Sequence, residues 1–393
     1  MRSHRRSLTA LLVAAPIALA ARADGQTFPE AGARALGLGG AYIAVAEGPT
    51  GSYWNPAASA LGGPVGGFVY GRTTIDGEGF AVRLDDLAAT DARALDINRR
   101  VPDAARAVEL LGAINSEPQP ILGQRPVGAF YSGGSYGLSI YRMKLVEAEP
   151  LVDVAHVELS DDPSRGLRFN ESRLLLSSLE FTDYVFSVGS PLGDPSLLVG
   201  GSVRWSRGKA RTSAPSLFDF PEFSASDVFD AASDGTAGEN KDEVSFDVGM
   251  LSVHEHVRVG LVGKYLGSPT FPTAVGTEFE IEPRWRAGLA VLPSPQVLLS
   301  VDLDLTETAL APDDREQRLA AFGAEFRGLN GQLALRGGLR EPLTGPGEIR
   351  LVTGGVGFRH PGGFSLDFAA GFQPGSDNLA LAFEFGFRKT GNR

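Results

Sequence analysis

The chain has 393 residues, a formal charge of −11, 50 Gly, 23 Phe and no Cys. An acidic chain without clustered Lys and Arg excludes nucleic acid as a partner, and a chain without Cys holds no disulfide framework and no lipid anchor on Cys. Beyond the first twenty residues no run of eighteen apolar residues occurs, which excludes a helical membrane protein and leaves a soluble β-sandwich or a membrane barrel.

Residues 1–23 read as a secretory signal peptide. Arg2, His4, Arg5 and Arg6 form a basic start, residues 8–20 a short apolar run, and Ala21-Arg22-Ala23 a small-residue cleavage site. Removing this segment takes away four arginines and no acids. An exported protein is expected.

The next block, residues 32–61, gathers glycines and ends on an Asn-Pro-Ala turn. Asn55 suits an N-cap, Pro56 the first helical position, and Gly62-Gly63 the stop. Gly32, Gly37, Gly39, Gly40 and Ala41, followed by Trp54, Asn55, Pro56 and Ala57, resemble the N-terminal signature of the FadL-like outer-membrane barrels, including their PorV/PorQ and TraF-like relatives. The resemblance implies an all-β fold: an antiparallel transmembrane β-barrel of about 14 strands, with an N-terminal plug (24–63), barrel (64–393) and a small helical insertion. It implies an outer-membrane location in a Gram-negative type envelope, with outer-membrane lipid around the barrel.

Alternation supports that reading independently. Leu299, Val301 and Leu303 oppose Ser300, Asp302 and Asp304, while Leu381, Phe383, Phe385 and Phe387 oppose Glu384 and Arg388. Strict period two in segments of about ten residues marks transmembrane strands, one face to lipid and the other to a lumen. Sixteen segments fit by pattern: 65–72, 79–84, 126–132, 136–144, 167–175, 178–190, 195–206, 244–253, 256–266, 284–292, 296–305, 316–327, 331–340, 348–359, 363–372 and 378–388. The last is followed by a basic tail, Arg388 to Arg393, where outer-membrane barrels commonly finish on an aromatic residue.

Three segments interrupt the pattern. Residues 85–115 read as helical, with Ala104, Val108, Leu111 and Asn115 on one side; they suit a plug, a periplasmic docking element or a folded loop. Residues 207–243 form a long acidic loop with Phe218, Phe220, Phe223 and Phe229, either a docking groove for an apolar solute or a solvated cap. The shorter loop 268–282 carries Phe271 with the same ambiguity.

No catalytic, cofactor or metal site is expected. Gly133-Gly134-Ser135-Tyr136-Gly137 matches a nucleophile elbow formally, but a strand follows it and not a helix, so Gly133-Gly134 reads as a hairpin turn. His254 and His256 stand at a turn with only Glu255 beside them. The chain is thus read as a non-enzyme with two competing functions. One is FadL-type passive uptake of hydrophobic small molecules, fatty-acid or hydrocarbon-like. The other is a PorV/PorQ-like barrel that partners a secretion-system or periplasmic protein.

Overall fold

Alternating side chains on a closed sheet define the architecture. A computed structural model describes residues 31–388, apart from 63–64, 77–79, 91–100, 117–120, 161, 219–230, 275, 277, 311–314, 345–349 and 375–378. The expected signal peptide and residues 24–30 therefore lie outside the described residues.

Fourteen strands form the barrel: β1 (Val65–Asp76), β2 (Ile121–Gly133), β3 (Tyr136–Leu151), β4 (Arg173–Leu192), β5 (Asp194–Ser213), β6 (Lys241–Val253) and β7 (Val257–Leu266). The second half supplies β8 (Arg284–Ser294), β9 (Val297–Asp304), β10 (Arg315–Gly328), β11 (Leu333–Thr344), β12 (Leu351–Arg359), β13 (Phe364–Phe372) and β14 (Leu379–Arg388). Each pairs antiparallel with its neighbours in sequence, and β1 closes on β14 with Phe68 opposite Phe385. Closure leaves no open edge, so the ladder satisfies the backbone within lipid. No helix among the described residues is long and apolar enough to cross a membrane.

The sixteen expected strands become fourteen for two reasons. Of the expected segment 79–84, residues 80–84 fall in a helix, α3 (Phe80–Ala88), because Leu84 and Leu87 recur at helical spacing and are buried together. Residues 167–175 begin in a 3-10 turn (Leu167–Phe169), and the strand that starts at Arg173 runs unbroken through 178–190. Short apolar runs do not distinguish strand from helix by themselves.

Side chains sort by face as the alternation requires. Ile140, Phe186, Phe322, Phe368 and Phe387 stand on the outer surface, whereas Tyr141, Asp183, Arg204, Asp302 and Glu384 are buried inside. Leu299 and Leu303 are exposed while Ser300 and Asp302 between them are buried.

Connections at one end are short, as at 134–135, 254–256, 295–296 and 360–363. At the other end they are long, as at 77–120, 152–172, 214–240 and 267–283. In bacterial barrels the short turns are periplasmic and the long loops face outward. The expected helical insertion 85–115 is two helices, α3 and α4 (Val101–Ser116), within the β1–β2 connection. They sit at the long-loop end, not the periplasmic one. Leu84, Leu87, Ala107, Leu111 and Ile114 pack there with Val146 on β3 and with Leu174 and Leu176 on β4. The expected loop 207–243 is narrower than its sequence suggested, since β5 continues to Ser213 and β6 begins at Lys241.

Candidate functional site

The N-terminal segment 31–62 lies inside the barrel. It forms α1 (Ala33–Gly37), α2 (Gly51–Trp54) and a 3-10 helix (Pro56–Ala60). Asn55 caps the last of these, its Oδ1 accepting from Ala57 N at 3.1 Å with Pro56 next in line. Its Nδ2 donates to the Met250 carbonyl on β6 at 3.0 Å. Trp54 is fully buried, donates from Nε1 to Ala31 O at 2.7 Å, and meets Tyr42 edge-on at 5.4 Å. Gly62, at φ 68, follows the helix end.

A belt of wall glycines makes room for this segment. A Cβ on Gly200 of β5 would stand 2.5 Å from Ala57 N, and one on Gly249 of β6 would stand 2.1 Å from Asn55 Oδ1. Similar contacts arise at Gly137, Gly189, Gly260, Gly288, Gly323 and Gly338, on six further strands. In the ladder Gly189 faces Gly200, Gly200 faces Gly249, and Gly323 faces Gly338. On the segment itself, Gly39 at φ 68 presses against β11, where a Cβ would meet Leu339 N at 2.7 Å. Gly37 and Gly32 approach Arg336 and Glu384 in the same way, and Gly40 holds a positive φ of 93.

Charges complete the fit. Arg34 binds Glu325 on β10 through two hydrogen bonds, 2.8 and 3.1 Å, and Glu47 at 2.8 Å. Glu325 also takes Arg327 at 2.7 Å and Arg336 at 2.6 Å, and Arg336 reaches Asp367 on β13 at 2.6 Å. Burial opposes the charge on Glu47, but the guanidinium groups of Arg34, Arg327 and Arg258 outweigh it and hold its carboxyl down at about 2. On β9, Asp302 accepts the backbone N–H groups of Tyr42 at 2.7 Å and Ile43 at 2.8 Å. The links from the plug to the wall were not evident from local pattern, because Arg34 and Glu325 are 291 positions apart and Tyr42 and Asp302 are 260 apart.

A second buried cluster lies on β4–β7. Arg204 bridges Asp183 and Asp247 at 2.5 Å each, and its guanidinium stands 4.5 Å from the Tyr265 ring centre and 5.3 Å from that of Tyr53. Lys264 donates to the Tyr53 carbonyl at 2.7 Å. Further toward the long loops the interior turns apolar, with Met143, Leu145, Leu179 and Phe181 buried. The β7–β8 connection folds into that space. Its small hairpin (Thr270–Pro272 with Glu278–Glu280) buries Phe271 against Gly208 of β5 and buries Phe279. Arg284, at the start of β8 opposite Lys264, is 4% exposed, and none of its three guanidinium nitrogens has a hydrogen-bond partner among the described residues.

Of the expected docking aromatics, Phe218 packs against the apolar cluster beneath α3 and α4; Phe220, Phe223 and Phe229 lie outside the described residues. The structure brings the glycine and Trp-Asn-Pro-Ala residues together and does not bring Phe218 to them. Gly133 and Gly134 form the β2–β3 turn with φ 130 and 68. His254 contacts Ser252 at 3.2 Å and His256 the Leu292 carbonyl at 3.2 Å.

A closed fourteen-strand antiparallel barrel with an apolar outer face and a folded N-terminal segment inside it has the fold of the FadL-like outer-membrane barrels. Comparisons agree. A crystal structure of a Pseudomonas aeruginosa FadL homologue aligns with a TM-score of 0.53 at 11% identity, covering 93% of this chain and all of that one. The deltaS2 mutant of the monoaromatic hydrocarbon channel TodX aligns at 0.50 and 12% identity, covering 91% and 99%. A family model described as "F plasmid transfer operon, TraF, protein" matches residues 116–304, just under half of the chain. No curated protein matches.

Proposed function

We propose that this chain is an outer-membrane barrel for passive uptake of hydrophobic small molecules that carry an acidic head, with residues 31–62 as its plug. The neighbours of the same fold include a FadL homologue and a hydrocarbon channel. The observation that carries the reading is Arg284, a buried guanidinium without a hydrogen-bond partner among the described residues, beside the apolar interior. Buried N–H groups left without acceptors are costly, and a carboxylate accepts from guanidinium in bidentate fashion. An apolar chain in contact with Phe271, Phe279 and Phe181 would retain its burial while its head meets Arg284.

The test is binding and uptake by the mature protein in liposomes, using a long-chain carboxylic acid and a neutral hydrocarbon in parallel. Arg284→Met should weaken binding of the acid at least tenfold, the scale of a hydrogen bond to a charged group, and leave the hydrocarbon unchanged. Equal affinity in both variants rejects the assignment.

One observation favours the secretion-partner reading, namely the close fit of the plug against wall glycines all round the barrel. A wild-type barrel that admits neither probe and co-purifies with a periplasmic protein would establish that alternative. A cysteine pair at Ser52 and Ser187, whose hydroxyl lies 3.5 Å from the Ser52 carbonyl, tests plug movement directly. The chain has no other Cys, so loss of uptake on oxidation and recovery on reduction would assign movement to the plug.

A further inference from the structure

We propose that the periplasmic rim between β10 and β14 holds the anionic headgroup of a membrane phospholipid, gripped by Arg359 and Arg388. A cavity of about 540 Å³ opens there between the plug and the wall. The turn residues 330–332, 360, 361 and 363 lie along it with the first residue of β1 and the last of β14, which sets it at the short-turn, periplasmic end.

Charge in this cavity divides into two sets. Arg34 and Arg327 line it, but Glu47 and Glu325 meet their guanidinium groups. Asp367 is taken by Arg336, and Glu384 is buried with its carboxylate facing the Arg34 N–H at 3.5 Å. Arg359 and Arg388 have no carboxylate within ion-pair distance among the described residues. Their positions are fixed all the same, because Arg359 N donates to Gln332 O at 2.7 Å and Arg388 N to Gly363 O at 2.6 Å. Two guanidinium groups at a cavity mouth, neither in an ion pair among the described residues, favour an anion, and the planar fork of each suits a phosphate diester.

The occupant follows from the apolar half of the same lining. Phe364 and Phe387 border the cavity, pair with each other across β13 and β14, and are 37% and 56% exposed on the outer wall. His360 stacks on Phe364 at 4.6 Å and 11°. Aromatic residues of this kind form the girdle at the membrane interface of outer-membrane barrels. A free anion would use only the arginines. A phospholipid of the periplasmic leaflet uses both sets, its phosphate on Arg359 and Arg388 and its acyl chains along the Phe364–Phe387 wall.

The test is native mass spectrometry of the mature protein in detergent titrated with phosphatidylglycerol. One tightly retained lipid is expected. Arg359→Gln with Arg388→Gln should weaken retention roughly 30-fold, since each cation beside an anionic headgroup contributes about a factor of five. Arg165→Gln with Arg168→Gln, two exposed positions in the long β3–β4 loop, removes the same charge elsewhere and should change nothing. Heat-modifiable gel migration reports folding. If the Gln pair does not fold, Arg388→Gln alone carries the test at about fivefold. Equal retention in the folded rim variant and the wild type overturns the proposal. Complete displacement of the lipid by inorganic phosphate at matched concentration also overturns it, by assigning the arginines to a free anion.

Discussion

Arg34 in the plug and Glu325 on β10 are 291 residues apart and make a two-pronged ion pair inside the barrel, with side chains 7% and 1% exposed. The pair ties a segment without barrel strands of its own to the wall. Glu325 also collects Arg327 and Arg336, so one carboxylate joins the plug to neighbouring strands.

Arg34→Ala should therefore lower the unfolding midpoint of the barrel in detergent and expose the plug to protease. Removing one partner of a buried ion pair costs about 3–5 kcal/mol; two remaining guanidinium groups at Glu325 put this case near 3 kcal/mol or below. A midpoint equal to the wild type would mean that the pair contributes nothing to plug retention.

Acid should release the same lock. The folded Glu47 carboxyl titrates at about 2, below its ordinary value of 4.5. A depressed acid stabilises the folded state above its unfolded value, and that contribution is lost as pH falls through the folded one. Protease resistance of the plug should decline between about pH 4.5 and pH 2. In Glu47→Gln the titratable contribution is gone, so this part of the pH profile should flatten. A profile unchanged by the substitution would show that other groups govern the acid response.

Gly200→Ala and Gly249→Ala put a methyl group 2.5 Å and 2.1 Å from plug atoms at Ala57 and Asn55. Overpacking of this kind costs roughly 1–3 kcal/mol. The plug should shift while the sheet persists, seen as new proteolytic cleavage within 31–62 at unchanged β content by circular dichroism. Gly337→Ala, with nothing within 4 Å, is the matched control and should leave the plug protected.

Asn55→Ala removes the cap at Ala57 and the bond to Met250 O together. Loss of a cap costs about 1 kcal/mol. Asn55→Asp retains the acceptor and loses the donor, so its unfolding midpoint should fall between those of the alanine variant and the wild type. If it matches the wild type, the Met250 contact is dispensable.

Much of this protein is legible in the chain alone. Period-two alternation distinguishes lipid-facing Leu299 and Leu303 from lumenal Ser300 and Asp302, because successive side chains on a strand point to opposite faces. The Asn55-Pro56 helix start is equally local, since a cap needs only residues one or two positions away. Short apolar runs were less legible. Residues 79–84 carry too few positions to separate helix from strand, and the packing of Leu84 and Leu87 with α4 decided for helix.

The site lay beyond reach of local pattern. Gly200 and Gly249 look like ordinary weak points in strands, and their reason for being glycine is a plug backbone nearly 150 or more residues away. Glu325 resembles any inward charge on an alternating strand, and Arg284 resembles Arg286 two positions on. Closure of the barrel around residues 31–62 gives Glu325 the Arg34 partner, whereas the β8–β9 register gives Arg286 Asp304 at 2.6 Å and leaves Arg284 without a hydrogen-bond partner among the described residues. Local sequence determined which face each side chain takes. Tertiary structure decided which charges meet, because barrel closure sets distances between residues that the chain itself keeps far apart.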